Sequence, residues 1–224
     1  SSLRKGGGTV TAVLDGGEEI SAEIALVSVG RRPRTGGIGL AEAGVESSRA
    51  GITVDSSMRT NVDGVFAAGD VIGGWLLAHV AAREGTVAAA RALGHDSSID
   101  YSAVPATIYT LPEVSRVGMT EQEAKEKGIE IVTGRFPFAA NGKAKGLREE
   151  EGFVKWVASK EDGRLLGLHI IGPQATELLA AGIVALGRKL TAHEFSESIF
   201  PHPTLSEALA EAAEAIEGRA IDIL

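Results

Sequence analysis

The 224-residue chain has no cysteine. Disulfides, thiolate metal sites and cysteine nucleophiles are therefore excluded from within it. Basic charge is also in short supply. Twenty-two Lys and Arg stand against 30 Asp and Glu, a net charge of −8. That balance argues against a nucleic-acid or anionic-membrane surface, because phosphate binding needs clustered cations. The stretch "GRRPR" (30–34) is too short to overturn it. No segment is long and apolar enough to span a bilayer, and "LLAAGIVALG" (178–187) has the length of a buried helix. The five histidines show no H-x-x-x-H spacing, so no metal site is expected. A phosphate-cradling fingerprint is missing too. "GGIGLAEAG" (36–44) has Glu42 where G-x-G-x-x-G requires its third glycine, and it reads as a turn entering a short helix.

What is present describes a globular protein, 44% hydrophobic and 23% charged. The opening residues carry no signal or presequence pattern. They read as a strand, a Gly-Gly turn and a second strand, Thr9 to Leu14 and Glu23 to Val29. Two strands cannot bury a core. The expectation is a chain that begins inside a domain, a piece of something longer. Its targeting cannot then be judged, and the cytoplasm is the expected location.

Further on, "VFAAGD" (65–70) reads as a short apolar strand and a helix is expected from Leu76 to Leu93, stopped by Gly94. After a small polar linker, "EIVTGRFPF", "GFVKWVAS" and "RLLGLHIIG" read as strands. Helices are expected at Glu121–Lys127, Thr176–Lys189, Ala192–Ser198 and Leu205–Glu217. Strands followed by helices packed on them suggest an α+β domain.

Two places carry chemistry. Ligands in open α/β sheets sit beyond the carboxyl ends of strands. Gly69 would let one approach the backbone, and Asp70 could accept from a sugar or polyol hydroxyl. The helix start nearby would favour an atom that becomes negative. The competing reading is that Asp70 only ends a strand in a turn, and local pattern does not separate the two. The second place is "HPTLSEAL" (202–209), where His202 stands between two prolines and Glu207 follows. Thr204 and Glu207 form a T-x-x-E capping box: the threonine oxygen would accept from the Glu207 N–H while the glutamate reaches back to the Thr204 N–H. Thr120/Glu123 and Thr191/Glu194 repeat the pattern. Local pattern alone therefore favours a plain helix start.

The ordered series "SVGRRP", "TNVDGVFAAGD", "LLAH" with Glu84-Gly85, "TLPEVSRVGMTEQEA" and "HPTLSEAL" is specific. Together these segments resemble the C-terminal half of the FAD-dependent pyridine-nucleotide disulfide oxidoreductases, most closely the dihydrolipoamide dehydrogenase branch. The resemblance implies a mixed α/β and α+β architecture. Residues 1–34 would be the end of the NAD-binding domain, 35–102 the FAD-side central region, and 103–224 an α+β interface domain that forms homodimers. It implies Gly30 and Arg31 beside the nicotinamide side, Asp70 (with Gly69) on the flavin ribitol, and Leu77, Ala78 and His79 at a helix start facing the flavin pyrimidine. His202 and Glu207 would be the acid/base pair toward a dithiol, serving the partner subunit's site, with a cis His202–Pro203 peptide. FAD and NAD are the implied cofactors, and a small dithiol or a lipoyl domain of a multienzyme complex the implied partner. The redox disulfide and the dinucleotide fingerprints would lie upstream, so this chain alone should be inactive. Phe200 and Pro201 depart from the His-Ala common in that branch, and Ser206 from a histidine of some relatives, which bears on the substrate channel. A glutathione-type reductase, or a dimerisation or regulatory module without redox role, remain the alternatives.

Overall fold

The computed structural model describes residues 2–222 and divides into two compact units, with the boundary between Ile99 and Asp100. The first unit opens with a three-stranded antiparallel meander, β1 (Ser2–Gly6), β2 (Thr9–Val13) and β3 (Glu19–Ala22), in that order. The expected strand Glu23–Val29 is not formed. β3 ends at Ala22, and Ile24, Leu26, Val27 and Val29 are exposed at 83, 90, 64 and 90%. A run apolar on both faces is the pattern of a strand covered from both sides. Its backbone needs strands alongside, and among the described residues none pairs with it.

A two-stranded ribbon follows, β4 (Ser47–Ser48) and β5 (Gly51–Ile52). The short helix expected after "GGIGLAEAG" is only turns, closed by Ala43 N–H to the Gly39 carbonyl and Val45 N–H to the Leu40 carbonyl. "VFAAGD" is not a regular strand either: Phe66 makes a single bridge to Arg59. A 3-10 turn over Gly69–Ile72 leads to α1 (Ala78–Ala92), within the expected span. Val80, Glu84 and Val87 form the buried stripe of α1 at helical spacing. Gly94, at φ 82°, ends the helix.

The second unit is an α+β layer. Its five strands are β6 (Pro105–Ile108), β7 (Glu113–Gly118), β8 (Ile131–Pro137), β9 (Phe153–Ser159) and β10 (Leu165–Gly172). They pair antiparallel in the order β6-β7-β10-β9-β8. Among them run α2 (Glu121–Glu126) and α3 (Gly142–Leu147), and α4 (Ala175–Gly187), α5 (Ala192–Ser196) and α6 (Glu207–Glu214) come after. The sequence pattern foretold β8, β9 and β10 and all of these helices except α3; β6 and β7 went unread. α4 lies on β7 and β10, and α6 on β8 and β9.

The pairing register explains the layer. One row across the sheet is Val117–Leu168–Trp156 and the next-but-one is Ser115–Ile170–Val154, all buried. The row between is Arg116–His169–Lys155–Arg135, on the opposite face. Side chains alternate by face, so one face takes the helices and the other carries this charged row beside the apolar row Ile108–Val114–Ile171–Phe153. Among the described residues no helix is long and apolar enough to cross a membrane.

Candidate active site

The three T-x-x-E copies fold in two ways. At α2, Thr120 accepts from the Glu123 N–H at 3.1 Å, and Glu123 Oε2 takes both the Thr120 N–H and its hydroxyl. At α5, Thr191 and Glu194 repeat this bond for bond. Those backbone donors hold both carboxylates below their ordinary range.

The third copy differs. Glu207 divides its oxygens: Oε2 accepts from the Thr204 N–H at 2.8 Å, and Oε1 lies 2.8 Å from His202 Nδ1. The expected reciprocal bond from the Glu207 N–H to the Thr204 hydroxyl is not made. That hydroxyl donates to the Pro201 carbonyl at 2.7 Å, with Ser206 Oγ at 2.8 Å. Ser206 becomes the residue before α6. Glu207 keeps its backbone bond through Oε2 while Oε1, unused for capping at α2 and α5, meets the histidine, and the helix start slides along the chain.

His202 is 79% exposed while Glu207 is 27% exposed, so a free ring stands on a half-buried carboxylate. An ionised carboxylate only accepts, so the bonded Nδ1 carries the proton and Nε2 keeps its lone pair. The flanking segment is stiff: Pro201 and Pro203 fix the backbone on both sides, and the His202–Pro203 peptide is cis.

Two buried donors clamp this segment to the sheet layer. Trp156 Nε1–H donates to the Leu209 carbonyl at 2.9 Å, and its ring meets Phe195 edge-on at 4.9 Å. Asn141, 4% exposed, donates through Nδ2 to the Thr204 carbonyl at 3.0 Å and accepts the Ala144 N–H at the start of α3. Asn141 escaped sequence reading. "AANGK" looks like a polar turn, and the bond it makes spans 63 residues.

In the first unit, Gly69 sits at φ 79° and its N–H donates to the buried Glu84 at 2.7 Å. A side chain at Gly69 would meet the Ala81 Cβ at 3.2 Å, so the turn lies hard against α1. Asp70 keeps a half-exposed carboxylate, 3.8 Å from Arg31 Nη1. Gly30, the residue before Arg31, takes a positive φ of 93° in an irregular stretch. Leu77 precedes α1 with no side-chain cap, and Ala78 and His79 begin the helix. Asp70 and Arg31 thus approach each other. His202 and Glu207 belong to the second unit, where they bond directly. Glu84 was noted in the sequence only as part of a motif; its burial shows that it anchors Gly69.

Comparison with known proteins agrees with this division. Residues 2–85 match the model of the pyridine nucleotide-disulphide oxidoreductases, and 104–213 match that family's dimerisation domain. The dihydrolipoyl dehydrogenase of Geobacillus stearothermophilus is 44% identical over 223 residues, 99% of this chain and 47% of its own length. That of Thermus scotoductus is 48% identical over 92% of this chain and 45% of its own. Among solved structures, LpdA from Mycobacterium tuberculosis superposes with a TM-score of 0.90 at 32% identity, over 96% of this chain and 47% of that one. The HOCl-induced flavoprotein disulfide reductase RclA from Escherichia coli gives 0.85 at 26%, over 95% and 49%. The chain spans about half the length of the relatives it matches. Two family models covering both units, and relatives alike along nearly the whole chain, lead to one conclusion: the chain belongs to the pyridine nucleotide-disulphide oxidoreductase family.

Proposed function

We propose that this chain is the C-terminal part of an FAD- and NAD-linked dihydrolipoyl dehydrogenase, and that it supplies the acid/base pair His202–Glu207 and a homodimer interface. The observation that carries the proposal is the divided carboxylate. Of three glutamates in the same sequence setting, only Glu207 turns one oxygen to a histidine.

The proton chemistry follows from the geometry. Glu207 fixes His202 as the Nδ1–H tautomer and stabilises its charged form. The Nε2 lone pair takes the proton of a substrate thiol. The thiolate so formed is the nucleophile for a disulfide that the family carries outside this chain. The imidazolium, steadied by Glu207, gives the proton back in the reverse direction. In the homodimer, His202 serves the partner subunit's site.

The first unit fits a flavin in its retained contacts. Asp70 would hold the ribitol, and the uncapped start of α1 at Leu77, Ala78 and His79 would face the ring edge where negative charge collects. Gly30 and Arg31 would lie toward the nicotinamide. Flavin and NAD, held by these residues, would supply the two-electron redox chemistry of the dithiol. The electron donor would be a small dithiol or a lipoyl domain.

The test is His202→Gln in the full-length enzyme, assayed with dihydrolipoamide and NAD. Loss of a general base predicts a fall of about two to four orders of magnitude in dithiol oxidation, with folding, flavin content and dimerisation unchanged. Near-wild-type turnover would return His202 to a structural role.

A further inference from the structure

We infer that Asn141 is a positioning residue for His202: its side-chain amide holds the Thr204 carbonyl, and this turns the third T-x-x-E segment from a capping box into a histidine-orienting device. The inference rests on the proposed role of the His202–Glu207 pair.

At α2 the Thr120 carbonyl accepts from the Ala124 N–H at 3.0 Å, and at α5 the Thr191 carbonyl accepts from the Phe195 N–H at 3.1 Å. This is the first bond of an ordinary helix, made by the residue four positions on. At α6 the corresponding donor, the Ala208 N–H, goes instead to the Leu205 carbonyl at 3.1 Å. The Thr204 carbonyl is left to Asn141 Nδ2. Everything that distinguishes the third copy accompanies that exchange. α6 begins at Glu207, three residues after Thr204, whereas α2 begins one residue after Thr120. The Thr204 hydroxyl turns back to the Pro201 carbonyl, Glu207 Oε2 keeps the Thr204 N–H, and Oε1, which Glu123 and Glu194 do not use for capping, meets His202.

Asn141 suits the task because it is fixed at both ends. Its Oδ1 is held by the Ala144 N–H, so Nδ2 can aim only one way. A buried amide with one end already bonded is a rigid strut. The thiol-facing ring nitrogen is thereby set from a segment 63 residues away in sequence.

The test uses Asn141→Ser and Asn141→Asp in the full-length enzyme labelled with ¹⁵N at histidine, with His202→Gln identifying the His202 signals. Serine and aspartate both keep an oxygen for the Ala144 N–H, so α3 stays capped, and both lose the amide donor; the aspartate variant serves if the serine variant fails to fold. In the unaltered enzyme His202 should show the Nδ1–H tautomer. In the variants it should move to a mixture in which Nε2–H prevails. kcat should fall about 10- to 100-fold with KM unchanged, as expected for a displaced but present catalytic group. Loss of packing alone would not move the tautomer. Folded variants that keep the Nδ1–H form overturn the inference whatever kcat does. The proposed function fails separately, if His202→Gln itself leaves turnover intact.

Discussion

Gly134 should be a costly glycine to replace near the candidate site. It lies on β8 beneath α6, where an added Cβ would meet the Ala212 carbonyl oxygen at 2.0 Å and the Ile216 N at 2.7 Å. These are backbone atoms, which cannot rotate away. To restore even a 3.0 Å contact, α6 must retreat by about 1 Å, opening its buried face of Ala208, Leu209 and Ala212 against β8 and β9. Overpacking of this kind costs about 1–3 kcal/mol, and a displaced backbone puts Gly134→Ala at the upper end. The variant regains about 0.4–1 kcal/mol from the stiffer unfolded chain. The net loss is then about 2–3 kcal/mol, a fall of about 6–10 °C in Tm for a unit of this size. Gly146 supplies the control. It lies within α3 with no heavy atom near its missing Cβ, so Gly146→Ala should stabilise by about 0.4–1 kcal/mol. Urea unfolding followed by the fluorescence of buried Trp156 reads both changes. Equal midpoints for the two variants would refute the close seating of α6 on β8.

Trp156→Phe should keep the aromatic contact with Phe195 while leaving the Leu209 carbonyl without its indole donor. A loss of about 0.5–1.5 kcal/mol is expected in the same urea assay, because one buried hydrogen bond is lost while the carbonyl keeps its helical donor within α6. His169 should make stability fall as the solution becomes acidic. Burial above all, and then Lys155 and Arg116 beside it, hold its pKa below 6.5, against the opposing pull of the Met119 carbonyl and Glu123. Above pH 6.5 folded and unfolded chains both carry it neutral and its contribution is complete. Below 6.5 the unfolded chain takes up a proton that the folded one refuses, so stability drops toward the folded pKa. His169→Gln should flatten the change in urea midpoint between pH 7.5 and 5.5; an unchanged slope would refute this.

How much of this was legible in the sequence depended on whether the cause was local. β9 and β10 were read because alternation and the "KEDGR" turn lie within them. The stretch Glu23–Val29 was misread because its apolar residues ask for neighbouring strands that the described residues do not provide. α3 was missed because Gly142 and Gly146 make "NGKAKGL" look like a turn, while the Asn141 cap that starts the helix is an ordinary loop residue by pattern.

The T-x-x-E copies show the limit most clearly. Thr120/Glu123, Thr191/Glu194 and Thr204/Glu207 are the same local signal, and only the family resemblance set the third apart. Pattern predicts what a segment does when its own backbone groups are the only partners on offer, and α2 and α5 follow it. At α6 two further partners compete. His202 asks for a glutamate oxygen, and Asn141 asks for the threonine carbonyl. His202 takes the glutamate oxygen that the other two copies leave outside the capping box, Asn141 takes the carbonyl that would have made the first helical bond, and only one of the two lies nearby in the chain. A histidine five residues away can be noticed by eye, whereas an asparagine 63 residues away is brought in by the sheet, because β8 ends at Pro137 and delivers Asn141 beside the turn before α6. The candidate acid/base pair is therefore a local motif whose departure from helix capping is set by tertiary structure, and a variant that leaves the motif untouched can still undo it.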